Sequence, residues 1–477
     1  MRTLSTNHYE IPTMFFRQIY EKGLAHASYM VGCQKSGTVA VIDAKRDVDT
    51  YIEIARQENL RITHVLETHI HADFLCGSRE LAELTGAEMF LSDEGGAEWA
   101  YAFEHNGLRD GHSFMVGNIR FDVWHTPGHT PEHICFLVTD TPASSVPVMF
   151  FSGDFVFVGD VGRPDLLERA AGYSGTMVDG ARQMFASLQR FRTLPDHIQI
   201  HPAHGAGSAC GKSLGDVPHT TVGYEKLVNW ALLIHNEELF VKTLLDGQPE
   251  PPRYFAMMKM LNKELRPLVS AVPKPVLLDP ARFRALVDHG AQVVDTRDKS
   301  LSTNAAIPNS LWIANNNALS TWAGWMLDYN QEIIILGAKS QFDEICRRLM
   351  RIGLDRIVGY VDSTDVWTDA HKPLTHVPWM SVAQLRELRS AENIYVLDVR
   401  KATEFADGHV PGAHHIHAGY LRDHLSELPQ DRHIAVMCAA GSRSTIACSL
   451  LLQHGFTNIY NITGGFDAWN AAGYEVE

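Results

Sequence analysis

Thr68-His69-Ile70-His71-Ala72-Asp73-Phe74 follows the apolar run Thr63–Leu66 and places two imidazoles and a carboxylate in one short loop. His-x-His-x-Asp at a strand end opens a metal site, provided further donors arrive from elsewhere. Without them it is only a solvated histidine pair. Two turn-flanked segments supply candidates in order. Thr126-Pro127-Gly128-His129-Thr130 follows the apolar strand Ile119–Trp124, and its proline and glycine put His129 in a sharp loop. Phe150-Phe151-Ser152-Gly153-Asp154 ends another apolar run with Asp154 just past it. Singly, His129 reads as a turn residue and Asp154 as a cap. Together with His69 they make a 2-His-1-carboxylate set, which covers one face of Fe(II) and leaves positions for dioxygen and a substrate sulfur.

On these motifs, residues from about Phe15 to His204 resemble the persulfide dioxygenase branch of the metallo-β-lactamase superfamily, relatives of glyoxalase II. The resemblance implies an αββα sandwich with His69, His129 and Asp154 as iron ligands. Two-metal hydrolases of that fold carry a histidine where this chain has Phe74, which has no lone pair to donate, so one Fe(II) per chain is expected. His71 and Asp73 are then expected to hydrogen-bond to ligands or bound water. His204, in His201-Pro202-Ala203-His204-Gly205, matches the histidine that binds the second metal in hydrolases and is expected to orient groups near the iron. Gly162-Arg163-Pro164-Asp165 resembles the family's Gly-Arg-x-Asp segment. Arg163 would face the anionic end of a thiol substrate, or else lock the fold through a salt bridge to Asp165. Cys210, in Ser208-Ala209-Cys210-Gly211-Lys212, reads either as a small loop residue or as a thiol-binding group whose pKa Lys212 could lower.

The other end of the chain carries a second chemistry. Ile434-Ala435-Val436-Met437 leads into Cys438-Ala439-Ala440-Gly441-Ser442-Arg443, and a helical pattern runs from Ser444 to Gln453. A cysteine between a strand end and a helix start meets backbone N–H groups that favour a thiolate and a bound anionic sulfur. Gly441 permits the tight loop, and Arg443 can close it over an oxyanion. The loop is one residue shorter than the phosphatase loop of the same type, so it suits sulfur transfer better than phosphoryl transfer. Val396-Leu397-Asp398-Val399-Arg400, Gly408-His409-Val410-Pro411-Gly412-Ala413 and Gly464-Gly465-Phe466-Asp467-Ala468-Trp469 complete a resemblance to rhodanese across the C-terminal segment. Asp398, Arg400 and His409 are expected to hold its loops together, and Trp469 to pack in its core.

Between the two ends lies a fainter copy of the last segment. Val293-Val294-Asp295-Thr296-Arg297 echoes the Asp398 strand at an offset of about 100 residues, a reasonable domain size. Its equivalent loop, Gly337-Ala338-Lys339-Ser340, has no cysteine. The expected domains are 1–268, metallo-β-lactamase-like with a helical extension; 269–375, rhodanese-like without sulfurtransferase chemistry; and 376–477, an active rhodanese. Both rhodanese units should be small α/β domains with parallel sheets. Helical text is expected over Met177–Arg192 and Thr220–Leu245. The latter, with a helix over Phe255–Leu261, would close the first domain and form a subunit interface.

Composition bounds the partners. The 477 residues suit about three domains. A net charge of −15 argues against nucleic acid and anionic membrane as partners. Met1–Glu10 lacks a basic-then-apolar signal pattern, and seven cysteines without Cys-x-x-Cys suit a reducing cytoplasm. The expectation is a cytoplasmic homo-oligomer, dimer or tetramer, that oxidises a low-molecular-weight thiol persulfide with dioxygen to sulfite. Cys438 would move sulfane sulfur among persulfide, sulfite and thiosulfate. A zinc thioester hydrolase of the glyoxalase II type bearing a rhodanese module, and a non-enzymatic persulfide-binding sensor, are the competing readings.

Overall fold

The computed structural model describes residues 14–166, 168, 175–212, 214–390 and 394–477; the Met1–Glu10 reading lies outside them. The chain forms two compact units, Met1–Ala271 with Met350–Gly353, and Val272–Leu349 with Leu354–Glu477.

The first unit is the expected αββα sandwich. Met14–Glu21, His26–Cys33, Thr38–Ile42, Arg61–Leu66, Glu88–Ser92 and Asn106–Leu108 (β1–β6) form one sheet in that order. Ser113–Val116, Ile119–His125, Ile134–Asp140, Met149–Gly153, Gln199–Pro202 and Thr220–Thr221 (β7–β12) form the other, again with sequence neighbours adjacent. Alternation along β2 and β3 builds the layers. Tyr29, Val31, Ala40 and Ile42 face Phe121, Val123, Phe136 and Phe151 between the sheets. Met30, Val39 and Val41 point the other way, onto Tyr51 and Ala55 of the helix Asp49–Gln57 and Leu81 of the helix Ser78–Thr85. Period-two side chains buried on both faces are what a central strand under a helical layer requires. Beyond the second sheet, Cys135, Leu137 and Phe150 meet Met184, Leu188 and Phe191 of the helix Thr176–Phe191 and Phe240 and Leu244 of the helix Glu237–Leu245.

The Thr220–Leu245 stretch differs from one helical segment. It begins with β12 and then breaks into helices Val222–Val228, Trp230–Leu233 and Glu237–Leu245. Thr221, Asn229 and Asn236 each accept a backbone N–H at a helix start, from Tyr224, Ala231 and Leu239. Such side chains compete with helix propagation and reset it as caps. Phe255 and Met258 of the helix Tyr254–Lys263 are buried within the first unit itself.

The second unit holds two five-stranded parallel sheets. Val276–Leu277, Gln292–Asp295, Leu311–Trp312, Ile333–Leu336 and Ile357–Val361 (β13–β17) lie in the order β13-β17-β16-β14-β15. Trp379–Met380, Ile394–Asp398, His414–His415, His433–Met437 and Ile459–Ile462 (β18–β22) lie in the order β18-β22-β21-β19-β20. The two orders are the same permutation. The loop locks repeat as well: Arg297 forks onto Asp295 and reaches the Ala305 carbonyl, while Arg400 forks onto Asp398 and reaches the Gly408 carbonyl. No helix among the described residues is long and apolar enough to cross a membrane.

Candidate metal centre and sulfur-transfer loop

Strand ends collect the donors of the first unit. His69, His71 and Asp73 follow β4, His129 follows β8, Asp154 follows β10 and His204 follows β11. The loops are tied at their roots, where the Ile134 N–H opening β9 donates to the Thr68 carbonyl. Gly153, with φ +52°, must be glycine, since a Cβ there would sit 2.6 Å from both His133 Nε2 and Thr68 Oγ1.

His69, His129 and Asp154 come together in the interior, each with a donor atom within 4.8 Å of the others. Asp154 Oδ2 stands 3.9 Å from His69 Nε2 and 3.4 Å from His129 Nε2. His69 Nε2 and both Asp154 oxygens are buried without a hydrogen-bond partner. Buried polar atoms in native proteins are nearly always satisfied, so this convergent, orphaned set fits a metal ion.

The surroundings set the tautomers. The Thr68 hydroxyl donates to Asp43 Oδ2 at 2.9 Å, so its oxygen accepts from His69 Nδ1 at 2.9 Å. His129 Nδ1 donates to the Arg163 carbonyl at 2.9 Å. Both rings therefore turn an Nε2 lone pair inward. Burial, reinforced for His69 by neighbouring histidines, pushes both pKa values down, keeping the imidazoles neutral as ligands must be.

His71, Asp73 and His204 form a second buried group with donor atoms within 4.8 Å of one another. Burial disfavours a charged His71, but Asp43, 3.2 Å from Nε2, and then Asp73 and Asp154 outweigh it and raise the pKa to about 9. The Asp43 carboxylate thus favours the charged form of His71, whose ring nitrogens make no hydrogen bond among the described residues. Phe74 is fully buried, its ring 4.4 Å from His71 and 4.0 Å from His26.

That charge has a measurable sign. A folded pKa raised to about 9 contributes stability that is fully present below about 6.5 and lost as pH rises through about 9. In chelator-stripped protein, the stability gap between wild type and His71→Gln should shrink by about 3 kcal/mol from about pH 6 to about pH 10. Urea titrations at both ends check this; a gap that widens with pH would refute the charged pair.

Several supporting residues escaped the sequence reading. The Asn262 amide donates to the His71 and Phe74 carbonyls at 2.8 and 2.9 Å and accepts from Cys76 N–H at 2.8 Å. Glu132 Oε1 accepts from Ile70 N–H at 2.8 Å, between the two histidines. His133 Nε2 accepts the Asp154 N–H at 3.0 Å. Asp43 and His133 each sit beside a strand terminus, and that position was their only signal. Asn262 had none.

Arg163 and Cys210 land differently from each other. Arg163 is fully buried, its guanidinium forked onto Asp165 at 2.7 Å and bonded to the Ala209 carbonyl at 3.1 Å. That is the fold-locking alternative, with Nε, Nη1 and Nη2 each bonded inside the domain. Cys210 joins Asp154 and His204 in a buried donor group. The expected help from Lys212 does not occur, because its ammonium bonds the Thr243 and Asp246 carbonyls. Burial, with Asp154 adding to it, instead pushes the Cys210 thiol well above its usual range.

In the second unit, β21 delivers Cys438 directly before the helix Ser442–Gln453. Gly441 N–H donates to Cys438 Sγ at 3.1 Å, and Gly441 has φ +103°. The Cys438 and Ala439 carbonyls are held by the N–H groups of Phe466 and Asp467 at 2.7 and 3.1 Å. Ala439, Ala440 and Ser442 complete the loop. Arg443 is engaged by both carboxylate oxygens of Glu404. Trp469 is buried, as expected of a core residue, and Cys346 and Cys448 are buried as well.

A two-sheet sandwich with a buried donor set at its strand ends thus shares the chain with a cysteine loop that follows the central strand of a parallel sheet. Residues 22–204 match the metallo-beta-lactamase superfamily and residues 381–472 the rhodanese-like domain. A solved metallo-beta-lactamase from Staphylococcus aureus is 41% identical with a TM-score of 0.68, covering 74% of this chain and 100% of its own. A hydroxyacylglutathione hydrolase of Tolumonas auensis is 33% identical over 178 residues, 36% of this chain and 59% of the hydrolase, so the match spans under two thirds of that relative. The mitochondrial persulfide dioxygenase of Bos taurus is 27% identical over 48% of this chain and 80% of its own. A thiosulfate sulfurtransferase of Shewanella oneidensis is 32% identical over 20% of this chain and 92% of its own. The chain belongs to the metallo-β-lactamase superfamily and carries a rhodanese-like domain at its C-terminal end.

Proposed function

We propose that the chain oxidises a low-molecular-weight persulfide with dioxygen at one iron and transfers sulfane sulfur at Cys438. The observation that carries this is the buried convergence of His69, His129 and Asp154, with His69 Nε2 and both Asp154 oxygens unpartnered, beside Phe74, which cannot donate to a second ion. When bound there, Fe(II) supplies dioxygen activation and a position for the substrate sulfur. The protein's own part is to present neutral imidazoles through Thr68 and the Arg163 carbonyl, keep water out by burial, and hold His71 charged beside the donors. Cys210 adds a buried thiol against Asp154 and His204, suited to contact the substrate sulfur as a neutral group.

At the second site Cys438, whose sulfur meets Gly441 N–H, attacks the outer sulfur of the low-molecular-weight persulfide; that S–S bond breaks, the carrier thiol leaves, and an enzyme persulfide forms. Sulfite attacking the outer sulfur then leaves as thiosulfate and returns the thiolate. We read residues 269–375 as a rhodanese-like domain without this chemistry, supported by the shared strand order and the repeated Asp–Arg lock.

Iron analysis of anaerobically purified protein, combined with oxygen uptake on glutathione persulfide, tests the reading. About one iron per chain and stoichiometric uptake are expected. Two tight zinc ions, held with help from His71, Asp73 and His204, with thioester hydrolysis and no oxygen uptake would replace it with the hydrolase.

A further inference from the structure

The Cys438 loop is completed by residues outside its own sheet. The helix Lys299–Asn304, which follows β14, brings Lys299 Nζ to 3.1 Å from where a Cβ on Gly441 would stand. Gly441 is the residue whose N–H meets the Cys438 sulfur. The same ammonium lies 5.4 Å from the centroid of the Trp379 ring.

This placement is fixed by a web of bonds. The Trp379 indole N–H donates to Thr303 Oγ1 at 3.0 Å, and Val377 N–H to the Thr303 carbonyl at 2.8 Å, both on the helix that carries Lys299. Trp312 N–H reaches Ser449 Oγ at 3.2 Å, and Gln453 Nε2 reaches the Asn309 carbonyl at 2.8 Å. These clamp the β15 region onto the helix that begins at the cysteine loop.

Charge accounting then singles Lys299 out. Arg443, the loop's own cation, is neutralised by the two oxygens of Glu404. Asp298, beside Lys299 in sequence, directs its carboxylate to Ser300 N and Oγ at 2.8 and 2.6 Å. Among the described residues Lys299 makes no salt bridge, and its charge is felt by the neighbouring Asp298 carboxylate. A half-buried ammonium set over an anion-type loop, with the adjacent Asp298 carboxylate bonded to Ser300, adds positive potential where an anionic substrate must enter.

We propose that Lys299 is the anion-recognition residue of the Cys438 site, holding the sulfonate end of thiosulfate while Cys438 takes its outer sulfur. The proposal rests on the reading of Cys438 as the sulfur carrier. In the step it serves, the Cys438 thiolate forms a bond to the sulfane sulfur, the S–S bond of thiosulfate breaks, and sulfite departs with that electron pair. Lys299 holds the sulfonate oxygens equally before and during this step and changes no oxidation state. The sheet without a cysteine thus lends a cation to the sheet that has one.

Steady-state transfer of sulfur from thiosulfate to cyanide by the full chain tests this. Lys299→Gln should raise KM for thiosulfate about five- to tenfold at low salt, with kcat changed less than about twofold. Its KM should also depend less on ionic strength than that of wild type, and Lys299→Arg should restore both properties. An unchanged KM and salt slope in Lys299→Gln, or an arginine variant as poor as the glutamine one, would overturn the proposal. Cys438→Ser in the same assay separates the two claims: retained transfer there removes the sulfur-carrier reading itself, whatever Lys299 does.

Discussion

Asp154→Ala is expected to empty the metal centre of the first unit. The substitution removes the only carboxylate of the His69, His129 and Asp154 group and leaves two buried imidazoles. Two neutral ligands do not hold Fe(II) against solvent, so iron content should fall below about a tenth of an equivalent. Oxygen uptake on persulfide should drop by about three orders of magnitude. Sulfur transfer from thiosulfate to cyanide should stay within about twofold of wild type, because Cys438 belongs to the other compact unit. Elemental analysis and the two rates, measured on one preparation, decide the matter. Iron retained at one equivalent would move the ligand assignment toward the His71, Asp73 and His204 group.

Cys438→Ser should give the reverse pattern. A serine hydroxyl at neutral pH is a poor nucleophile toward sulfane sulfur and forms no transferable persulfide, so thiosulfate sulfurtransferase activity should fall by about three orders of magnitude. Oxygen uptake fed with persulfide should persist, with sulfite accumulating in place of thiosulfate. The Gly337–Ser340 loop cannot rescue the step, since it carries no thiol. Chromatographic separation of sulfite and thiosulfate after one persulfide pulse reads the result. Unchanged thiosulfate would exclude Cys438 and turn attention to the buried Cys210. Loss confined to thiosulfate-fed oxygen uptake would instead mean that the loop supplies persulfide to the iron.

Much of the candidate site was legible because donors at strand ends leave local signatures. His69 and Asp73 follow an apolar run, His129 sits in a Pro-Gly turn, and Asp154 and Cys438 each terminate a strand. The structure adds what spacing cannot encode. Asn262 grips the His71 and Phe74 carbonyls from a helix nearly two hundred residues away. Arg163, written in a segment that invited a substrate role, is turned inward by Asp165 and the Ala209 carbonyl. Lys212 cannot activate Cys210, because backbone carbonyls take its ammonium while burial raises the thiol.

The sequence by itself placed the two candidate sites, since residue type and strand-end position suffice to name candidate donors and a candidate sulfur nucleophile. It also determined the internal repeat, through the Asp295 and Asp398 strands. Only the tertiary structure decided which charges remain available. His71 is pushed toward its charged form because Asp43 lies 3.2 Å away, Arg443 is neutralised by Glu404, and Lys299 stands over a loop more than a hundred residues downstream. Electrostatic roles depend on through-space distance and burial, and neither is a function of local sequence.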